Sequence, residues 1–99
     1  MITEIAYLTI DPAQAAQFEQ AVAQASSILR AAEGCRGMAL ERLIEEPAGY
    51  RLRVDWDSVD HHRVTFRQSE GFAQWRALAG PFFAAPPVVE YSAAIARFF

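Results

Sequence analysis

Val54 to Pro87 reads VDWDSVDHHRVTFRQSEGFAQWRALAGPFFAAPP, and the fold turns on how this stretch is parsed. Both tryptophans and both histidines of the chain lie in it. Tyr50, Leu52, Val54 and Trp56 alternate with Arg51, Arg53 and Asp55, which predicts a strand ending at Trp56. Two short helical pieces follow, roughly Val59 to Arg67 and Glu70 to Ala79. Ser58 and Ser69 are their caps, because a serine oxygen accepts from the free N–H groups of a first turn. Gly80-Pro81 stops the second piece. Ala84 to Pro87 is an extended connector, since proline withholds a backbone donor and restricts the residue before it. A last strand is predicted from Val88 to about Arg97. The aromatic residues here either fill a core or line a pocket, and the functional reading depends on which.

Upstream, Ile2 to Ile10 reads as a strand. Ile2, Ala6, Leu8 and Ile10 fall on one face, Ile5 and Tyr7 on the other, the pattern of a centrally placed strand. Asp11-Pro12-Ala13-Gln14 opens a helix, with Asp11 as N-cap, Pro12 at the first helical position and Gln14 completing a capping box. Phe18, Val22, Ala25, Leu29 and Ala32 form one apolar stripe, and Gly34 is the stop. Gly37 to Glu46 reads as a strand with a bulge near Glu41–Ile44. Glu46-Pro47-Ala48-Gly49 has turn chemistry, so Tyr50–Trp56 returns as a hairpin. The order β-α-β-β-α-β, with the second helix broken, is a ferredoxin-like α+β arrangement whose usual strand order makes the first and third strands central.

A chain of 99 residues makes one domain with a modest core, spanning 1–99. Hydrophobic residues are 53% of it, which points to a further buried surface, a dimer interface or a ligand cavity; alanine inflates that fraction and is the plainer explanation. The net charge is −3 with no basic tract, which argues against nucleic acid as partner. The lone Cys35 has no internal disulfide partner. There is no signal peptide and no apolar run of membrane-spanning length, so a cytoplasmic location away from membranes is expected.

Trp56, Ser58, His62, Phe66-Arg67, Ser69, Phe72, Trp75-Arg76, Gly80-Pro81-Phe82-Phe83 and Pro86-Pro87 together resemble the antibiotic biosynthesis monooxygenase (ABM) domain family. The resemblance follows element order over the whole chain and is motif-grade from Trp56 to about Tyr91. It implies a homodimer in which two sheets pair face to face as a dimeric α+β barrel. The helices lie outside, and each subunit keeps a pocket between its sheet and its helices. Phe98-Phe99 would then lie at the subunit junction. The superfamily contains monooxygenases, haem-degrading enzymes and proteins without known activity. Haem degradation is not expected: those relatives use an asparagine, tryptophan and histidine constellation, whereas this chain has no asparagine and carries Phe66 where their tryptophan falls.

No metal site is expected. His61 and His62 are adjacent and point about 100° apart on a helix, and Cys35 alone adds no ligand set. With no GxGxxG, P-loop or GxSxG pattern, no tightly held flavin or nicotinamide is expected, and no cofactor is assigned. What remains is an aromatic pocket with a few polar groups. The expected substrate is a small planar aromatic molecule, a quinol or an anthrone, with oxidation by O2 expected there once it is deprotonated. His62 is the expected base, since imidazole titrates near neutrality. Arg67, Arg76 or Tyr91 stabilises the developing oxyanion. Phe66, Phe72 and Trp75 stack on the substrate, and Arg67 and Ser69 supply donors. Against this stand plainer readings. His62 is then a structural residue, the aromatics are core, and Arg67 and Arg76 are solvated or pair with Glu70 and Asp60. The protein is then a non-catalytic small-molecule-binding or stress-associated module of the same fold.

Overall fold

The computed structural model describes residues 1–99. Its centre is an antiparallel sheet in the order β2-β3-β1-β4. β1 (Ile2–Thr9) and β3 (Gly49–Trp56) are the internal strands, and β2 (Cys35–Arg42) and β4 (Val88–Ser92) are the edges. Helices cover one face only. Period-two alternation sorts the side chains: Ala6, Leu8, Tyr50, Leu52, Val54 and Trp56 are all buried beneath the helices. Residues facing each other across the ladder share a face, so Leu52 lies between Ala6 and Leu40, and Val54 between Glu4 and Met38.

α1 (Ala15–Ala31) lays Phe18, Val22, Ala25 and Leu29 on that surface, as its stripe predicts. Phe18 meets Tyr50 edge to face, with ring centroids 5.0 Å apart, and Tyr50 donates to Glu19 at 2.6 Å. Gly34 ends the helix with φ +78°, where a Cβ would overlap the ring of His61. A side chain is therefore excluded there on both backbone and packing grounds.

Several boundaries depart from the sequence reading. Asp11 accepts from Ala13 N at 3.0 Å, and Pro12–Gln14 form a 3₁₀ turn ahead of α1; Gln14 makes no capping bond, so the capping box does not form. β2 begins two residues early and ends at Arg42. Its bulge lies between Cys35 and Gly37, not at Glu41–Ile44, and Ile44 is exposed in the turn. The hairpin itself closes as expected, with Gly49 N donating to Glu46 O at 2.8 Å. Gly80-Pro81 does not stop α2 (Glu70–Ala79) outright: Gly80–Phe82 tighten it into a 3₁₀ turn. β4 ends at Ser92, not Arg97, because its partner β1 runs out; Ser92 already pairs with Thr3. Phe98 and Phe99 are exposed in the single chain. No helix is long and apolar enough to cross a membrane.

The other sheet face carries Ile5, Tyr7, Arg51, Arg53 and Val88, none of them fully buried. Polar contacts cross it: Arg51 lies 3.4 Å from Glu41, Thr3 donates to Asp55 at 2.7 Å, and Tyr7 donates to Glu90 at 3.3 Å, whereas Arg53 makes no ion pair and Arg51 Nε is buried without a hydrogen-bond partner.

Candidate functional site

Three strands bring three polar residues together on the helix-covered face. Glu4 of β1 stands directly across from Tyr91 of β4. On its other side, one diagonal step away, is Trp56 of β3, which pairs with Ile2. Trp56 Nε1 donates to Glu4 Oε1 at 3.0 Å.

His62 descends onto this trio from the segment after β3. That segment starts as predicted, with His61 N donating to Ser58 Oγ at 3.3 Å, but His61–Phe66 form a π-helical turn instead of an α-helix. Arg67 N bonds the carbonyl of His62, Gln68 N that of Val64, and Ser69 N that of Phe66. The widened turn is a feature often found at functional sites. It places His62 Nδ1 2.7 Å from Tyr91 Oη and His62 Nε2 3.4 Å from Glu4 Oε2. His62 and Glu4 are 5% and 6% exposed, so these contacts form out of water. The rings of Trp56 and Phe66 flank the imidazole, with centroids 5.5 and 6.3 Å away.

Burial sets the protonation states. It pushes the His62 imidazole down to about 4, and the charge of Arg67 acts in the same direction. The expectation that His62 titrates near neutrality is therefore corrected, because a buried imidazolium loses its hydration. At neutral pH the ring is uncharged and its contact with Glu4 is not a pairing of opposite charges. Burial pushes the Glu4 carboxyl up, against the Trp56 hydrogen bond and the Arg67 charge, which favour the carboxylate. Burial and the nearby Glu4 push the Tyr91 phenol up.

A cleft of about 740 Å³ lies between the sheet and α2, with Glu4 and His62 in its lining. Ala6, Leu8 and Leu52 supply sheet residues, and Phe72, Trp75 and Phe83 supply aromatic walls. Exposed Arg67 and Arg76 also line it and form no ion pair with Glu70 or Asp60. Five residues expected at the site, His62, Arg67, Phe72, Trp75 and Arg76, thus converge on one cleft. Tyr91 joins through His62. Phe66 does not line the cleft: it is 4% exposed and packs between Trp56 and Phe72, a core role. Ser69 caps α2 by accepting from Phe72 N and donating to Phe66 O, and it borders a separate depression outside the cleft. Glu4 was not expected. Its signal was a lone carboxylate in the buried register Ile2, Ala6, Leu8, Ile10.

A family model described as antibiotic biosynthesis monooxygenase matches residues 1–78. The chain belongs to the antibiotic biosynthesis monooxygenase family. Within that family it is similar to a candidate antibiotic biosynthesis monooxygenase from Bordetella bronchiseptica. The two are 47% identical, with 96% of this chain and 97% of that one covered at a TM-score of 0.94. It is 33% identical over 91 residues to the uncharacterised protein YczJ of Bacillus subtilis, covering 92% of this chain and 96% of YczJ. It shares its fold with SnoaB, a cofactor-independent oxygenase from Streptomyces nogalater, at 17% identity and a TM-score of 0.78, covering 98% of this chain and 95% of that one.

Proposed function

We propose that the protein is a cofactor-independent monooxygenase that oxidises a planar aromatic compound, of the quinol or anthrone kind, as a homodimer. The observation that carries this reading is the buried Tyr91–His62–Glu4 chain set into the wall of an aromatic cleft. A proton-abstracting group, aromatic walls and exposed guanidinium groups are what O2 chemistry on an acidic aromatic requires. Deprotonation gives an electron-rich anion that Arg67 and Arg76 stabilise. The anion passes an electron to O2, a carbon–oxygen bond forms, and the peroxide collapses. For an anthrone the methylene loses two hydrogens; one oxygen atom becomes the new carbonyl and the other leaves as water. The substrate supplies every electron, so no reductant is needed. Phe72 and Trp75 hold the ring plane, and Phe66 packs edge to face against Phe72. Dimerisation through the uncovered sheet face is supported by its partly exposed Ile5, Tyr7 and Val88 and by Arg51 Nε, which is buried without a hydrogen-bond partner in the single chain.

The test is oxygen uptake with a panel of quinols and anthrones, comparing wild type with His62→Ala. Uptake above the spontaneous rate, lost in a folded His62→Ala protein, is the expected result. Absence of uptake across the panel overturns the reading. One observation favours a second: both ring nitrogens of His62 are engaged within the protein. A binding module would hold the same aromatic ligands saturably without turnover.

A further inference from the structure

We propose that Glu4 is a positioning residue: it fixes which nitrogen of His62 carries the proton and completes a Tyr91–His62–Glu4 proton relay beside the cleft. The inference rests on the proton-abstracting role proposed above and assigns the proton's destination.

Hydrogen-bond accounting carries it. Indole Nε1 can only donate, so Glu4 Oε1 accepts from Trp56. The other carboxylate oxygen, Oε2, is left facing His62 Nε2. With Glu4 ionised, Oε2 can only accept and repels a bare ring nitrogen 3.4 Å away, which favours the hydrogen on Nε2. The neutral ring then presents a bare Nδ1, which accepts the Tyr91 O–H at 2.7 Å. The Trp56 and Tyr91 donors each have an acceptor, and Nε2 lies 3.4 Å from Glu4 Oε2, a longer approach than the two hydrogen bonds beside it. The charged groups facing the imidazole are Glu4 and Arg67, and Arg67 disfavours a second positive charge there.

The relay moves one proton without an imidazolium. The acidic hydrogen of the substrate, O–H in a quinol and methylene C–H in an anthrone, goes as a proton to the Tyr91 oxygen. The Tyr91 proton moves to Nδ1, and the Nε2 proton moves to Glu4 Oε2. The substrate ends one proton poorer and anionic, Glu4 ends neutral, and His62 ends neutral in its other tautomer. Burial disfavours both a charged His62 and an ionised Glu4, so the fold favours this route over protonating the ring. Tyr91 shares the helix-facing side of β4 with Val89, a lining residue of the cleft.

The experiment is long-range ¹H–¹⁵N NMR of the imidazole rings in the full-length ligand-free protein, with His61 as internal reference. Wild type is expected to show the Nε2–H tautomer of His62 at neutral pH. In Glu4→Gln the amide oxygen keeps Trp56, so the amide N–H₂ faces Nε2 and the ring switches to Nδ1–H. Tyr91→Phe keeps Nε2–H. An Nδ1–H ring in wild type overturns the proposal, as does Nε2–H retained in Glu4→Gln; the wild-type spectrum decides even if the variant does not fold. With an anthrone that the wild type turns over, Glu4→Gln is expected to lower kcat by at least about tenfold with KM little changed. Expected tautomers without oxygen uptake would defeat the oxygenase reading and leave the positioning role standing.

Discussion

Trp56 Nε1 lies 3.0 Å from Glu4 Oε1, joining residues 52 positions apart within a region closed to solvent. One bond ties the end of β3 to the start of β1 and satisfies a buried carboxylate. Trp56→Phe keeps an aromatic ring but removes the donor. Leaving that oxygen unpaired costs about 1–3 kcal/mol, and the smaller ring adds a void. Urea denaturation is expected to show a lower midpoint. The Glu4 carboxyl also moves further up in pKa, since the bond that favoured its ionised form is gone.

The depressed imidazole makes stability depend on pH in a defined direction. Between its ordinary 6.5 and its folded value of about 4, the unfolded chain takes up a proton that the folded chain refuses. Stability from this group is full above that window and falls as pH drops through it. Glu4 acts oppositely, its raised pKa costing stability as pH rises above the ordinary 4.5. Comparing wild type with His62→Gln isolates the imidazole. The variant's deficit is expected to shrink by on the order of 2 kcal/mol from pH 7 to pH 4.5, measured by denaturant titration at each pH.

Gly34→Ala is expected to destabilise by more than about 1 kcal/mol, because a positive φ is unfavourable for alanine and the new methyl meets the His61 ring. His61 is held to Ser58 at 2.8 Å, so the ring moves only by disturbing the start of the π-helical turn. Thermal unfolding reads the loss, and a weakened Tyr91–His62 contact is expected alongside it.

Ile5→Glu on the uncovered sheet face is expected to weaken self-association by at least tenfold, about 1.4 kcal/mol, by sedimentation equilibrium. The substitution lies away from the cleft-facing residues of β1, so the variant monomer is expected to stay folded. Unchanged association would move the interface elsewhere.

The architecture was readable where a periodic signal was strong. The alternation from Tyr50 to Trp56 and the stripe from Phe18 to Leu29 gave β3 and α1 nearly to the residue. The end of β4 was not readable, because Ala93–Arg97 still looks strand-like and only the exhaustion of β1 as a partner stops it. The site was half legible. His62, Arg67, Phe72, Trp75 and Arg76, singled out because chemistry-bearing residues cluster in one stretch, do line one cleft. Phe66 was misjudged as a stacking surface, since nothing local separates a core aromatic from a lining one. Glu4 lay 58 residues before His62, and only the strand register, which sets it between Tyr91 and Trp56, shows why a carboxylate occupies a core position.

The turn after β3 has one more consequence. Its hydrogen bonds shorten in span from His62–Arg67 to Val64–Gln68 to Phe66–Ser69, so the segment winds from loose to tight before α2 begins. Removing one residue inside it would let an ordinary helical turn close, but everything downstream would rotate by about 100° relative to what precedes it. Either His62 would swing off Tyr91, or Phe72 and Trp75 would swing out of the cleft. The length of the turn thus sets the phase that brings His62 and the aromatic residues Phe72 and Trp75 to one cleft.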